Sequence, residues 1–357
     1  MAAAVQIQEI GADDLEPLAR FLNRESPGPS GAGTLGVRDA RHYGWFLLEN
    51  PAQPPGVPCG WIARDDAGEV VGSKFCAAER FSCAGEPKTL LMGGGFYVGG
   101  QHRGLGLMLM RRYLEQGKRH ALYASTMNEV SGALYEHYGG YPVPHTDHEW
   151  LGVLHYEPVV EEFLVRRFHR PGLARMLARP AALRPAAIRG APRGALERVS
   201  SPAQLGGLAI APPPEHAGDI TALRDEAFLR WRYFAGPDRS RALFVYRSEQ
   251  GSRALVAVNL RLRGIRGQVR ALMVLDYWGA VPAAAIADAA RLLAAEYRDQ
   301  ADVIVFRGQP PERQRVLQQA GFLHRALPRA VGVCIDRHQL LPTRSWYMVP
   351  ADGDMGH

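Results

Sequence analysis

The sequence predicts an α+β protein made of two similar units, and three observations lead to this expectation. The chain has 357 residues, enough for about two domains of ordinary size. Hydrophobic residues make up 46% and charged residues 22%, as in globular rather than disordered or fibrous proteins. Each half then shows the same order of elements, a hairpin, a strand, a helix, a strand, a helix and a strand, which suggests an internal duplication.

The first half starts with an alternating strand at 5–10 and a helix that begins at acidic residues and runs to about residue 23. A Gly/Pro/Ser-rich loop and a short helix at 38–49 follow, and a proline cluster ends that helix. The Asp66–Gly68 turn then indicates a hairpin. We expect the remaining strands at 61–64, 70–80, 90–98, 122–125 and 149–156, and helices at 105–120 and 129–138.

The second half repeats this order without repeating the residues. A short helix is expected at 228–234, and the strongly apolar segment 282–297 predicts a buried helix. A third helix at 312–320 ends at Gly321, since glycine is favoured just past a helix. Strands are expected at 242–247, 254–263, 269–276, 303–306 and 330–335.

The positive charge lies almost entirely in the connection between the halves. The formal net charge is +6, but residues 166–198 hold nine arginines and one acid, so the rest of the chain is close to neutral. This segment is also rich in Pro, Ala and Gly, and its prolines should keep any helix to two or three turns. We expect a solvated linker whose arginines pair with acids of the flanking units, and no nucleic-acid partner. An anionic contact with a membrane surface, a nucleic acid or a substrate phosphate is the alternative.

Several classes of protein and site are not supported. The four cysteines form no C-x-x-C pair, and the loop containing His145, Asp147 and His148 has no rigid frame, so no metal site is expected. No segment has the roughly 20 apolar residues that cross a bilayer. The first residues lack a basic stretch followed by an apolar core, so we expect no signal peptide and a cytoplasmic protein.

The segment that carries chemistry is Gln101-His102-Arg103-Gly104-Leu105-Gly106, between a predicted strand and a predicted helix. Glycines allow a tight turn and a close approach of the backbone to a ligand. The free amides of the first helical turn and the helix dipole favour an anion such as a pyrophosphate. The third glycine of a dinucleotide-binding fingerprint is missing, and so is the Lys-Ser/Thr pair of a P-loop.

With the downstream segment 128–142, this region resembles the GNAT superfamily of N-acetyltransferases. That family has Q/R-x-x-G-x-G/A after its fourth strand, and Gln101, Gly104 and Gly106 occupy the fixed positions. A later helix contributes a tyrosine followed by glycine and an aromatic residue, which correspond to Tyr135 and the segment 139–141. The resemblance is specific over 70–145 and extends plausibly over 1–156. Gly100 departs from it, because the family usually has proline there.

The resemblance implies two strands that splay apart and admit acetyl-CoA as co-substrate. Loop amides would hold the pyrophosphate, backbone groups of Tyr97 and Val98 would pair with the pantetheine arm, and Asn128 would contact the same arm. Tyr135 would lie near the thioester sulfur and protonate the leaving thiolate, unless it is a packed core aromatic. The expected coenzyme-binding residues are Tyr97, Val98, Gln101, His102, Arg103, Gly104, Leu105, Gly106, Leu107 and Asn128.

An attacking amine must lose its proton to react, so a base or a water chain is required. The sequence leaves this base open among Glu79, Glu149 and Asp147. The acceptor is expected to be a primary amine of a small molecule. The alternatives are a longer acyl-CoA donor, a hydroxyl acceptor and a module that binds its ligand without turnover.

The resemblance also suggests a division of the chain into tandem acyl-CoA N-acyltransferase-like units. Residues 1–158 would form a GNAT domain with the acetyl-CoA site, residues 159–215 the linker, and residues 216–350 a second, degenerate domain. The second unit has no phosphate-binding loop, since Arg261–Gly267 falls between two strands as a hairpin turn. This unit would shape the acceptor site or stabilise the first unit. A homodimer is possible.

Overall fold

A computed structural model describes residues 5–25, 38–102, 104–127, 129–205, 216, 218–238, 240–264, 267–327 and 330–352, without the side chains of 129 and 130. Within these ranges, mixed sheets are flanked by helices, which confirms the predicted α+β class. The helices are α1 (Leu15–Glu25), α2 (Ala40–Tyr43), α3 (Leu105–Gln116), α4 (Glu129–His137), α5 (Tyr156–Phe168), α6 (Pro171–Ala178), α7 (Glu226–Arg230), α8 (Ala285–Glu296) and α9 (Pro311–Gln319).

The strands of the described residues form three sheets. In chain order they are β1 (Gln6–Glu9), β2 (Gly60–Arg64), β3 (Val70–Phe75), β4 (Ala77–Cys83), β5 (Glu86–Met92), β6 (Tyr97–Val98), β7 (Leu122–Ala124), β8 (Tyr141–Pro142), β9 (His148–Val153), β10 (Ala195–Val199), β11 (Ile220–Ala222), β12 (Arg241–Arg247), β13 (Arg253–Arg263), β14 (Val269–Trp278), β15 (Val303–Arg307), β16 (Leu323–Ala326), β17 (Val333–Ile335) and β18 (Trp346–Tyr347). The sheet orders are β1-β2-β3-β6, then β18-β11-β4-β5-β7-β17-β8, and finally β10-β12-β13-β14-β15-β9-β16.

The two halves exchange strands. β9 belongs to the first half of the sequence but lies between β15 and β16, with Leu151 opposite both Val305 and Leu323. β17 comes from the second half and lies between β7 and β8, with Cys334 opposite Tyr123 and Tyr141. β11 extends the same sheet beside β4. Each of the two larger sheets therefore contains strands from both halves, which joins their cores.

Two long strands predicted in the first half are each divided between sheets. The predicted strand 70–80 changes sheet at Cys76, so that β3 pairs with β2 and β4 pairs with β5. The predicted strand 90–98 is divided at Gly93–Gly95, and Gly95 has a φ of 52°. Glycine favours this break because other residues rarely adopt such a φ. β5 and β6 thus lie on different sheets, and the break opens the site described below.

The segment predicted as a linker carries regular structure. α5 has 13 residues and begins before the arginine-rich segment 166–198. Within that segment, α6 has eight residues between Pro171 and Pro180, in line with the two or three turns expected. α5 is capped by His169, which has a left-handed φ of 54°. β10 pairs antiparallel with β12 and so edges the third sheet.

The interface between the halves is built around a related pair of helices. α2 and α7 each begin at an aspartate whose carboxylate accepts an N–H of the first turn, and each continues into a π-helical turn. Trp45 and Trp231, one from each turn, stack at 5.1 Å, and each indole N–H donates to the other residue's carbonyl. This reciprocal contact is what a duplicated unit folded against its own copy would produce.

Candidate functional site

The glycine loop lies at the start of α3, as predicted. Gly100–His102 form a 3₁₀ turn, and Gly104 caps the helix with φ −62° and ψ −24°. A Cβ added at Gly100 or Gly104 would meet no described atom within 4 Å. At Gly106 it would approach Phe96 at 3.4 Å. The loop therefore presents open space above Gly104, while Gly106 keeps the helix close to the strand that precedes it.

The short strand β6 has one edge that no described strand occupies. Its pairs with β3 are Gly72↔Val98 and Ser73↔Tyr97. The Gly99 N–H donates to the Val71 carbonyl at 2.9 Å. Because N–H and C=O groups alternate in direction along a strand, those of Val98 point to the unpaired edge. This edge leads directly into the glycine loop, so an extended ligand arm could pair with it.

The two strands expected to splay do part at this place. β5 and β7 are parallel and paired at Leu91↔Leu122 and Met92↔Tyr123. The last bond between them is from the Gly93 N–H to the Tyr123 carbonyl, at 2.7 Å. After Gly93 the chain leaves this sheet and forms β6, which pairs with β3. A gap therefore opens beside β7.

Tyr135 lies at the apex of this gap. It is 2% exposed, and its hydroxyl accepts a hydrogen bond from Lys74 Nζ at 2.8 Å. Lys74 is itself buried, and Nζ lies 4.5 Å from the centre of the Tyr113 ring. The Tyr135 hydroxyl, Lys74 Nζ and Tyr113 ring fill the space beside Gly93 and leave no room for a Cβ. The structure thus combines a buried hydroxyl with a buried amine at the point where the strands separate.

Lys74 was not among the residues predicted for the site. It is the only ionisable residue besides Cys76 in the apolar stretch from Val70 to Ala78. Lysine is almost never fully buried unless it is paired. A lone lysine within an otherwise buried strand was therefore the available signal, but the sequence does not show that Tyr135, 61 positions away, is its partner.

A buried carboxyl group, that of Glu79, lies on the opposite face of the sheet that contains β4, β5 and β7. Glu79 of β4 lines a small cavity of about 10 Å³ with Phe46, Met92, Tyr123 and Arg232, among others. The Tyr123 hydroxyl donates to the Glu79 carboxylate. Burial and the nearby Asp352 carboxylate raise the pKa of Glu79 to about 8. Met92 immediately precedes Gly93, so this carboxyl group lies close to the apex of the gap.

The other two candidate bases are placed differently. Glu149 is fully buried and forms ion pairs with Arg263, Arg307 and Arg325. Burial alone would raise the pKa of Glu149, but these three guanidinium groups outweigh it and hold that pKa below its ordinary value. Asp147 lies on the surface, 3.2 Å from His148. Glu149 is therefore committed to a structural cluster, and only Glu79 combines a raised pKa with a position near the gap.

A cluster of buried arginines extends from the Glu79 cavity. Arg241, the first residue of β12, stacks on the Trp45 ring at 5.0 Å and donates Nη1 to the Arg232 carbonyl. Its Nε lies 3.5 Å from the Asp238 carboxylate. Nε and Nη2 of Arg241 are buried and make no hydrogen bond to any described residue. Burial, and after it the charge of Arg232, lowers the pKa of Arg241 to about 9. An anion bound beside Arg241 would compensate the positive charge of these buried guanidinium groups.

The corresponding gap in the second half is filled by the chain itself. β14 and β15 are paired only at 271–273 and 303–305, and β14 continues to Trp278. The Tyr347 hydroxyl donates to the Tyr277 carbonyl at 2.7 Å and accepts from Arg313 of α9 at 2.8 Å. Further on, Asp352 forms a buried ion pair with Arg224. Residues 346–352 thus lie between β14 and α9, where the first half has its open gap.

Two predicted coenzyme-binding residues, Arg103 and Asn128, lie outside the described residues. Of the others, Gln101, Gly104 and Leu107 are exposed, whereas Gly106 is buried. In the described part of the chain, no three His, Cys, Asp or Glu side chains form a group that could hold a metal ion. No helix among the same residues is long and apolar enough to cross a membrane.

Comparison with known proteins bears on the fold. No family model and no curated protein matches the sequence. A probable N-acyltransferase of unknown function from Enterococcus faecalis V583 matches with a TM-score of 0.57 at 11% identity, over 93% of this chain and 72% of that one. A GCN5-related N-acetyltransferase from Kribbella flavida matches with a TM-score of 0.53 at 15% identity, over 93% and 71%. The Saccharomyces cerevisiae N-myristoyltransferase with bound myristoyl-CoA gives 0.52 at 12%, over 92% and 80%.

These likenesses are structural, since the identities are low. They show that the chain has the fold of the GCN5-related N-acetyltransferases, the GNAT fold, in a form with two sheet-containing units. The resemblance seen in residues 70–145 is thereby confirmed at the level of the fold. The donor, the acceptor and the roles of single residues stay predictions.

Proposed function

We propose that the protein is an N-acetyltransferase that transfers an acetyl group from acetyl-CoA to a primary amine of a small molecule. The observation that carries this proposal is the arrangement around the gap between β5 and β7. A glycine loop at a helix N-terminus, an unpaired strand edge at Val98 and the Tyr135 hydroxyl all lie along one path. Backbone amides can hold a pyrophosphate, and a free strand edge can pair with the amides of pantetheine.

The chemistry proposed is direct attack. The amine nitrogen forms a bond to the thioester carbonyl carbon, the C–S bond breaks, and the sulfur leaves as a thiolate. Glu79 accepts the proton of the amine, and Tyr135 gives its hydroxyl proton to the thiolate. The two groups lie on opposite faces of the sheet, and a thioester bound in the gap between β5 and β7 would have to come within hydrogen-bond reach of both. Lys74 donates a hydrogen bond to Tyr135 and would stabilise the phenolate that forms.

The acceptor is proposed to carry a carboxylate besides its amine. Arg241 supports this, because Nε and Nη2 are buried and make no hydrogen bond to described residues. Arg232 links the two parts of the site, since it lines the Glu79 cavity and its carbonyl accepts from Arg241. The amine would lie at Glu79 and the carboxylate at Arg241, whose planar guanidinium matches a carboxylate in geometry.

A longer acyl-CoA donor is the second candidate, and the likeness to a myristoyltransferase favours it. The two donors are distinguished by calorimetric titration with acetyl-CoA and myristoyl-CoA. We expect one acetyl-CoA site per chain, because residues 346–352 fill the second gap. Two sites would contradict this assignment, and tight binding of myristoyl-CoA alone would replace acetyl by a long acyl group. Binding without any release of free thiol in an amine screen would favour a module without turnover.

The acceptor is tested separately with Arg241→Gln. Amino acids and their matched decarboxylated amines are compared in a free-thiol release assay. We expect Arg241→Gln to raise KM for the carboxylated acceptors by at least tenfold and to leave the decarboxylated amines unchanged. Equal effects on both sets would refute the carboxylate, while transfer to neither set by the native enzyme would refute the transferase itself. An amino phosphonate series would show whether a phosphonate replaces the carboxylate.

A further inference from the structure

The segment formed by α5, α6 and the residues up to 184, which we call the arm (156–184), exposes most of its large apolar side chains. Phe163 is 66% exposed and Leu183 is 90% exposed. Of the eleven large hydrophobic residues exposed in the described chain, six belong to this arm: Phe163, Phe168, Leu173, Met176, Leu177 and Leu183. Single exposed apolar residues are ordinary, but a contiguous group of this kind marks an interaction surface.

The orientation of α6 makes this exposure systematic. Ala174 and Ala178, four residues apart, are completely buried and face the rest of the protein. Leu173, Met176 and Leu177 lie on the other side of the helix and are exposed. A helix that covered the core would have the reverse arrangement, with its large residues inside. The apolar face of α6 is thus turned outward, and no described residue covers it.

The same surface is positively charged. The arm contains six arginines and three glutamates, and all six arginines lie in residues 163–184, which hold no acid. On α5, Arg167 follows Phe163 by four residues and so shares its face of the helix. Arg170 is exposed and lies between α5 and α6, since α5 ends at Phe168 and His169 has a left-handed φ. Of the six, Arg166 and Arg175 pair with Glu162 and Glu161 of α5. The arm therefore combines outward apolar side chains with a clear excess of positive charge.

We propose that the arm docks the protein onto an anionic membrane surface, with α6 lying in the interface. Apolar side chains would enter the boundary between headgroups and acyl chains, and the arginines would contact the anionic headgroups. A second copy of the chain is disfavoured, because a two-fold contact would bring the same arginines together. A nucleic acid would use the arginines but would leave Leu173, Met176 and Leu177 without an apolar partner. This inference does not depend on the proposed acetyl transfer.

The test is co-sedimentation of the full chain with vesicles of phosphatidylcholine, with and without phosphatidylserine. We expect binding only to the vesicles with phosphatidylserine, and weaker binding as salt is raised. The triple variant Leu173→Ser, Met176→Ser, Leu177→Ser should lose this binding. Its control is Leu48→Ser, Leu262→Ser, Leu323→Ser, which removes exposed apolar residues elsewhere and should bind as the native chain does. Thermal unfolding of both variants checks that they are folded.

The contribution of the arginines of the arm is tested by the same co-sedimentation assay. Arg167→Gln with Arg170→Gln should weaken binding about 25-fold, since each arginine near an anionic surface contributes about fivefold. Arg20→Gln with Arg24→Gln, a pair on α1, should have no effect. Equal binding by arm and control variants, or no binding to anionic vesicles, would overturn the proposal. Lipid-independent self-association that the triple variant abolishes, or duplex DNA binding that it leaves intact, would overturn it in favour of a second copy or a nucleic acid.

Discussion

Replacing Gly104 by glutamate tests the proposed pyrophosphate site without disturbing the fold. The backbone at Gly104 is in the right-handed helical region, with φ −62° and ψ −24°, which any residue adopts. A Cβ there meets no described atom within 4 Å. Replacing a glycine that has such a conformation also restricts the unfolded chain, which raises the free energy of unfolding by up to about 1 kcal/mol. The melting temperature should therefore not fall.

The expected loss of binding follows from charge. A glutamate at this position would bring a carboxylate within about 5 Å of a ligand pyrophosphate, which carries two negative charges. At an effective dielectric constant of about 40, the repulsion is roughly 3 kcal/mol. We therefore expect the Kd for acetyl-CoA to rise about 100-fold, and by less at high salt because exposed charges are screened. Gly104→Gln has nearly the same shape and should lose only the part of the affinity that is due to bulk.

The assay is isothermal titration with acetyl-CoA, accompanied by thermal unfolding of each variant. The difference between the glutamate and glutamine variants isolates the charge. Equal Kd values for these two variants, or a glutamate variant that binds as tightly as the native chain, would refute the placement of a pyrophosphate at this loop. A lowered melting temperature would instead show that Gly104 has a structural role that its open surroundings do not reveal.

Three other changes act at the gap between β5 and β7. Tyr135→Phe should lower kcat about 100-fold with little change in KM for acetyl-CoA; an unaltered kcat would make Tyr135 a core residue. Gly93→Ala should reduce the free energy of unfolding by about 1–3 kcal/mol in urea denaturation, because Tyr135 and Lys74 must move; an unchanged midpoint would contradict that crowding. For Glu79, whose pKa is raised from 4.5 to about 8, kcat/KM should rise with pH through about 8, since only the carboxylate accepts a proton. The free energy of unfolding of the native protein should fall as the pH rises from about 4.5 to about 8, because over that range burial keeps Glu79 protonated in the folded chain only. Glu79→Gln should remove both pH dependences, and a retained activity profile would exclude Glu79 as the base.

Local features of the fold could be predicted from the sequence, whereas contacts between distant residues could not. The apolar period after Gly104 predicted α3, and its C-terminal end at Gln116 is set by Gly117, which the period alone did not locate. The pattern that predicts a strand at 149–156 fits equally well beside any partner. Nothing in it shows that β9 joins the sheet of the second half, because strand pairing depends on the whole topology.

One signal of the duplication is a short repeat in the sequence. Arg38-Asp39 and Arg224-Asp225 are each followed, at the same spacing, by Trp45 and Trp231. The aspartates cap helices and the tryptophans stack on each other, so this short repeat marks equivalent positions of the two units. The Lys74–Tyr135 pair has no such signal, since a contact across 61 residues leaves no trace in a local pattern.

The second unit contributes side chains to the site of the first unit, even though its own gap is filled. Its π-helical turn places Trp231 and Arg232 against the Glu79 cavity of the first unit. Its β12 places Arg241 beyond that cavity, on the ring of Trp45. The first unit alone would therefore have the β6 edge and the glycine loop for the proposed donor. It would have only some of the residues that line the Glu79 cavity, where the acceptor is proposed to bind. Under the proposed function, the second unit would supply side chains that distinguish one amine from another, although its own gap is filled by residues 346–352.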